Sequence, residues 1–207
     1  RAEATVIGED RLELGDGGGI ASTTTAAARA LIDAAANPFA PPFDGYYADP
    51  PASDPWSLVR GEIAELCGGE APILEGGIAL PRVYSSRAAD AGSAPCAPAA
   101  RDEAWTNVTA DPAQLRAVPR GSDVMFTLTG WSTRPVSDWR LRLTTADRSD
   151  LTMAQMQPLL SDDIVNNGTQ VTLKLRVPRG VPSGSFGGVV VQSGPTGHPW
   201  VVGFLVE

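Results

Sequence analysis

Three runs in the second half of the chain interleave core-type and surface-type residues one for one. Val124, Phe126 and Leu128 alternate with Met125, Thr127 and Thr129. Trp139, Leu141 and Leu143 alternate with Arg140, Arg142 and Thr144, and Val171, Leu173, Leu175 and Val177 with Thr172, Lys174 and Arg176. A period of two sends successive side chains to opposite faces of an extended strand. Each run therefore predicts a strand with one face in a core and the other in water. Phe186 to Val191 and Trp200 to Val206 supply two further apolar runs, joined by Ser193-Gly-Pro-Thr-Gly, a sequence suited to a hairpin loop. Asn167-Gly168, just ahead of the third alternating run, suits a tight turn. Short strands at this spacing, without helical segments between them, predict a sandwich of two sheets. No Cys…Trp…Cys pattern lies in this half, so the expected likeness to an immunoglobulin domain is one of architecture.

The first half has a different texture. Residues 23–36 are rich in alanine, the best helix former, and predict one helix. Thr23 or Thr24 is placed to cap its start, and Asn37-Pro38 stops it, because proline disfavours helical geometry in the residue before it. Residues 38–58 read as a loop rich in Pro, Asp and aromatics, and Ile78 to Tyr84 as one strand. Ala88 to Ala100 reads as an Ala/Pro-rich linker, which places a domain boundary near residue 102. The expected fold is mainly β. An immunoglobulin-like sandwich at 103–207 follows a small, loop-rich α+β segment at 1–102 with one Ala-rich helix.

Charge and cysteine content narrow the function. The formal net charge is −8 and no basic cluster is present, which argues against nucleic acid, since phosphate neutralisation needs grouped Lys and Arg. No stretch reaches the ~18–20 apolar residues that span a bilayer. The chain opens at Arg1 on a polar, acidic run, as a mature or excised product would. Gly15 to Gly19 lacks the Lys-Ser/Thr of a phosphate loop. Cys67 and Cys96 have neither C-x-x-C spacing nor a nearby His, so zinc ligation is not expected. A disulfide is the simplest use of them, and two buried thiols are the alternative. Asn107-Val-Thr and Asn167-Gly-Thr match the N-glycosylation acceptor pattern.

Three segments, taken in order, resemble a known family. They are Arg29-Ala-Leu-Ile-Asp-Ala-Ala-Ala-Asn-Pro38, Gly61-Glu-Ile-Ala-Glu-Leu-Cys67, and Val83-Tyr-Ser-Ser86 followed by Cys96. Over residues 25–97 this order is similar to the exordium or phosphate-induced family and its bacterial relatives among secreted metallopeptidase-like proteins. That family carries a helix of the form H-E-L-x-E-x-x-T-[DN]-P, an aromatic-rich loop, G/T-E-I-[GA]-D-L-C, and a strand leading to a second cysteine. The resemblance implies a secreted protein with Cys67 and Cys96 in register. It also places Arg29, Ala30 and Asp33 at the first metal ligand, the general base and the second ligand. Arginine stays protonated and cannot ligate zinc, and alanine cannot take a proton. What the resemblance implies is a peptidase-like scaffold without its chemistry: no metal, no cofactor and no catalytic residue. The family's metal helix follows a substantial sheet, whereas about twenty residues precede this one.

Other side chains have plainer readings beside the sharper ones. Arg29 and Asp33, at i and i+4, form an ordinary helix-surface pair. Glu62 and Glu65 read as a solvated face rather than an acid/base pair. Ser85-Ser86 and His198 read as structural, with His198 in a sandwich loop beside Pro199. Phe43, Tyr46, Tyr47 and Trp56 read as pinning their loop to the body, the alternative being the lining of a ligand groove. Trp131, Trp139 and Trp200 belong to the sandwich core or its edge, the alternative being a glycan-contacting role for Trp131 and Trp200. The expected protein is extracellular or at the cell surface, non-catalytic, and active in binding or surface assembly through a protein partner or self-association, such as a filament or surface-layer subunit. A metal-dependent peptidase fragment completed by another chain, and a cell-envelope carbohydrate-binding module, are the competing readings.

Overall fold

The computed structural model describes residues 20–36, 55–59, 65–67, 70–76, 78–99, 103–133, 136–194 and 198–207. Two sheets form a sandwich. One contains β5 (Thr106–Asp111), β7 (Asp123–Ser132), β11 (Gln170–Arg176) and β9 (Leu159–Leu160), in the spatial order β5-β7-β11-β9. The other contains β10 (Ile164–Val165), β8 (Trp139–Thr145), β12 (Phe186–Ser193), β13 (His198–Val206) and β6 (Arg116–Val118), in that spatial order. The orders β5-β7-β11-β9 and β8-β12-β13 are those of an immunoglobulin constant-type sandwich. All pairings are antiparallel except β6 with β13. The first sandwich strand breaks after Asp111-Pro112 and resumes as β6 on the opposite sheet, alongside β13.

The alternation seen in the sequence sets the inner faces. Val124, Phe126 and Leu128 of β7 lie across from Leu175, Leu173 and Val171 of β11, all buried. Trp139 and Leu141 of β8, Val189 and Val191 of β12, and Trp200, Val202 and Phe204 of β13 fill the facing layer. Gly187, paired with Phe204, leaves room for that ring: a Cβ there would stand 2.2 Å from Phe204 Cζ. The Asn167-Gly168 turn falls between β10 and β11, where Gly168 takes φ +83°.

Residues before the sandwich form short elements. Helix α1 (Ile20–Ala36) begins three residues earlier than expected, so Thr23 and Thr24 lie inside it and do not cap it. It packs on β2 (Ile78–Leu80), which pairs with β1 (Ile73–Glu75), and Thr25 Oγ1 donates to Ala79 O at 3.4 Å. The single strand expected over 78–84 is divided at Pro81-Arg82, since proline offers no ladder N–H. Its second part, β3 (Val83–Tyr84), pairs with β4 (Cys96–Ala97). Between them lies α2 (Ser86–Asp90), capped by the Ser85 side chain.

Residues 88–99 are therefore not a linker. Ala89 is fully buried, and small side chains let this stretch sit close to the sandwich. Leu58, Cys67, Tyr84, Ala89 and Cys96 join one continuous apolar core with the sandwich residues.

Candidate functional site

Seen from the sandwich, α2, Tyr84 and the turns at 55–58 and 65–67 straddle the edge formed by β5 and β13. On the outer face of the four-stranded sheet, Asn107 is fully buried beneath α2. Its Nδ2 donates to Ala89 O at 3.1 Å and to Ser93 O at 3.4 Å. Beside it, Trp131 donates from Nε1 to Thr109 Oγ1 at 2.9 Å, and Gly92 lies against its ring so closely that a Cβ would fall 2.9 Å from Cδ2. On the outer face of the five-stranded sheet, Tyr84 Oη donates to Pro199 O at 2.8 Å.

Between these contacts lies the cluster in which polar side chains converge. His198 is the first residue of β13 and is 4% exposed, which corrects its expected place in a loop. Its Nδ1 lies 2.7 Å from Thr106 O, and its Nε2 lies 2.9 Å from Glu70 Oε1. A carbonyl oxygen only accepts, so Nδ1 donates to Thr106, while Nε2 is paired with the Glu70 carboxyl. Arg82, 7% exposed, stands 3.8 Å from Glu70 and donates to the Glu103 carboxylate. Hydrogen bonds and ion pairs thus link Thr106, His198, Glu70, Arg82 and Glu103 across the junction, while Arg82 Nε is buried without a hydrogen-bond partner. Buried charges need such partners, because an unpaired one would carry its full desolvation cost.

The chemical capacity of this cluster is limited by its own bonding. Ser193, directly opposite His198 across the hairpin, has a buried Oγ without a hydrogen-bond partner, but both imidazole nitrogens are already engaged and neither is open to take its proton. Ser85 accepts from Ala88 N as a helix cap and does not meet His198. Among the described residues, no three His, Cys, Asp or Glu side chains are grouped to hold a metal ion. Arg29 and Ala30 lie on α1, half-buried and exposed respectively; the side chain of Asp33 lies outside the described residues, as do Glu62, Phe43, Tyr46 and Tyr47 and the side chains of Glu65 and Trp56.

The remaining expectations sort cleanly. Cys67 and Cys96 are bonded, with an S–S distance of 2.07 Å, so the two-thiol alternative falls. Trp139 and Trp200 are core residues. Trp200, 2% exposed, has no accessible ring face for a glycan, which corrects the glycan-contact alternative there. Asn107 is closed to modification in the folded chain, whereas Asn167 is exposed, with its Oδ1 accepting from Ser132 N at 2.9 Å. An open depression of about 510 Å³ lies elsewhere, bordered by Asp150, Gln155, Ser183 and Ser185, and none of its lining residues is aromatic. No described helix is long and apolar enough to cross a membrane.

No family model and no curated protein matches the chain. Among solved structures, it is similar to a chimeric titin Z1Z2 functionalised with an exogenous KLER peptide from decorin, at 12% identity and a TM-score of 0.31, over 51% of this chain and 97% of that one. It is also similar to a family 123 glycoside hydrolase from Clostridium perfringens, at 10% identity and a TM-score of 0.29, over 50% of this chain and 27% of the hydrolase. The immunoglobulin-like assignment rests on the strand order itself.

Proposed function

We propose that this chain is a secreted, non-catalytic protein that works at or outside the cell surface by binding and self-association. The observation that carries the reading is the bonding of the junction cluster. Both ring nitrogens of His198 are engaged, by Thr106 O and by Glu70, and Arg82 pairs with Glu70 and Glu103, holding a disulfide-bonded segment against a sandwich. A buried imidazole with both nitrogens occupied is a fastener, not a base waiting for substrate. The disulfide agrees with an oxidising compartment. Arginine and alanine at the positions of the metallopeptidase ligand and base agree with a scaffold that no longer hydrolyses peptides.

The test combines metal analysis with sedimentation velocity on the purified full-length protein. The expected result is no stoichiometric zinc, no zinc-dependent peptide hydrolysis, and reversible self-association as concentration rises. Stoichiometric zinc accompanied by hydrolysis would overturn the non-catalytic reading, and a strict monomer at all concentrations would overturn self-association.

A further inference from the structure

The two outer faces of the sandwich are dressed differently. On the five-stranded sheet, Gly188 and Gly203 are paired across β12 and β13 and open a slot that Leu58, from the turn Pro55–Leu58, fills. A Cβ on either glycine would stand 2.6 Å from Leu58 Cδ1. On the four-stranded sheet, α2 covers the end at Asn107 and Trp131, and no described element covers the rows beyond. Strand register sets those rows. Thr109, Thr129 and Gln170 form one, Asp111, Thr127 and Thr172 the next, Met125, Lys174 and Leu159 the third, and Asp123 with Arg176 the last. Met125 is 63% exposed and Leu159 58%, on either side of Lys174, so apolar surface is left open to water. The charges of this face balance, Asp111 and Asp123 against Lys174 and Arg176. The sandwich as a whole does the same: residues 103–207 hold nine Asp and Glu against nine Lys and Arg, and the net charge of −8 falls before residue 103. Two sandwiches can therefore approach each other without the repulsion that the acidic first half would impose.

We propose that the open face of the four-stranded sheet docks a second copy of this chain about a two-fold axis that runs parallel to the strands, between β7 and β11. This deepens the self-association reading above and rests on it. A two-fold interface brings the same patch of both copies together, so the patch must be complementary to itself. Charge complementarity points to a second copy and places the axis. With the axis between β7 and β11, β11 of one copy lies over β7 of the other at the same height along the strands. The ladder pairs Asp123 with Arg176, so Arg176 of each copy then faces Asp123 of the other. By the same register Thr127 faces Thr172, Thr129 faces Gln170, and Met125 faces the apolar stem of Lys174. Cation meets carboxylate, hydroxyl meets hydroxyl or amide, and thioether meets methylenes. An axis shifted onto β7 would set Asp123 over Asp123, and one shifted onto β11 would set Lys174 over Lys174 and Arg176 over Arg176. Within each copy Asp123 already holds Arg176 at 3.2 Å and Lys174 at 3.5 Å, so the docked pair extends an ion-pair group that is in place beforehand.

The experiment is charge reversal with rescue in the full-length chain, read by sedimentation velocity over a concentration series at low salt. Asp123→Lys leaves its row wholly cationic, and Lys174→Glu/Arg176→Glu leaves the same region wholly anionic. Each variant alone is expected to self-associate at least about tenfold more weakly than the unaltered chain, and an equimolar mixture of the two is expected to recover association, because each reversed face now complements the other. Arg142→Glu, exposed on the outer face of the five-stranded sheet, is expected to associate as the unaltered chain does. Near-ultraviolet circular dichroism verifies that each variant is folded. Should a reversal variant not fold, Thr127→Arg carries the test: it lies beside the axis, alters no ion pair, and is expected to weaken association by at least about tenfold. Folded variants that associate like the unaltered chain, or a mixture that recovers nothing, overturn the proposal. If oligomers of the unaltered chain survive all these changes, self-association stands and this face is not its route; if the unaltered chain is a monomer throughout, both readings fall. A monomer retained on insoluble polysaccharide and released by Thr127→Arg would assign the face to a glycan and likewise overturn the proposal.

Discussion

Replacing Arg82 with methionine tests the energetic role of the junction cluster directly. The guanidinium is 7% exposed and bridges two carboxylates, Glu70 at 10% side-chain exposure and Glu103 at 24%. Removing one member of a buried pair typically costs about 3–5 kcal/mol, most of it from the charge left behind. Here the two carboxylates have some relief. Glu70 keeps the His198 Nε2 contact at 2.9 Å, and Glu103 is exposed enough to turn toward water. The expected loss is therefore at the low end, about 3 kcal/mol. For a chain of this size that corresponds to a fall in Tm of roughly 6–12 °C. Methionine retains much of the apolar stem, so lost packing adds little. Urea unfolding under non-reducing conditions gives the free energies, and repeating it at high salt separates a buried pair from a screened surface pair. A loss below about 0.5 kcal/mol, or one that vanishes in high salt, would mean that the junction is solvated and that its ion pairs are surface decoration.

Two other outcomes follow from the same structure. Cys67→Ser/Cys96→Ser is expected to destabilise the chain by about 3–4 kcal/mol in the chain-entropy model, given a sequence separation of 29, and calorimetry of that variant against the oxidised protein checks it. The hydrogen bond from Arg176 at 3.2 Å, with Lys174 nearby at 3.5 Å, holds the Asp123 carboxyl below its usual 3.8. A carboxyl depressed in the folded state stabilises above its unfolded pKa, and that contribution disappears as pH falls through the folded value. Asp123→Asn is thus expected to flatten the acid limb of the stability curve below about pH 4, while an Asp123 carboxyl resonance titrating at or above 3.8 would show that the Arg176 bond does not form in solution.

The strands that were legible in the sequence are those with one wet face and one dry face. β7, β8 and β11 alternate because their outer sides meet water, and their period survives translation into residues. β5 alternates over Asn107 to Asp111, but its inward side offers only Val108 and Ala110, too few apolar residues to stand out, and nothing in the sequence signals that Asn107 on the outer side is buried beneath α2. β9 and β10 are too short to carry any pattern. Ala88 to Ala100 looked like a linker by composition, yet the same small residues let the segment pack tightly. The disulfide was the simplest use of an even cysteine count. The junction cluster was invisible, because Arg82 and Glu103 are 21 positions apart and Glu70 and His198 are 128 apart, and nothing local to any of them signals a buried partner.

The fit of Leu58 between Gly188 and Gly203 also limits how a sequence like this one can drift. A side chain at 188 or 203 would collide with a leucine at 58, and a leucine at 58 would lose its seat if either glycine grew. The three positions are therefore expected to change together or not at all. A related chain with alanine at 203 should carry a smaller residue at 58, and one that has lost the 55–58 turn should be free to fill the slot with side chains of its own.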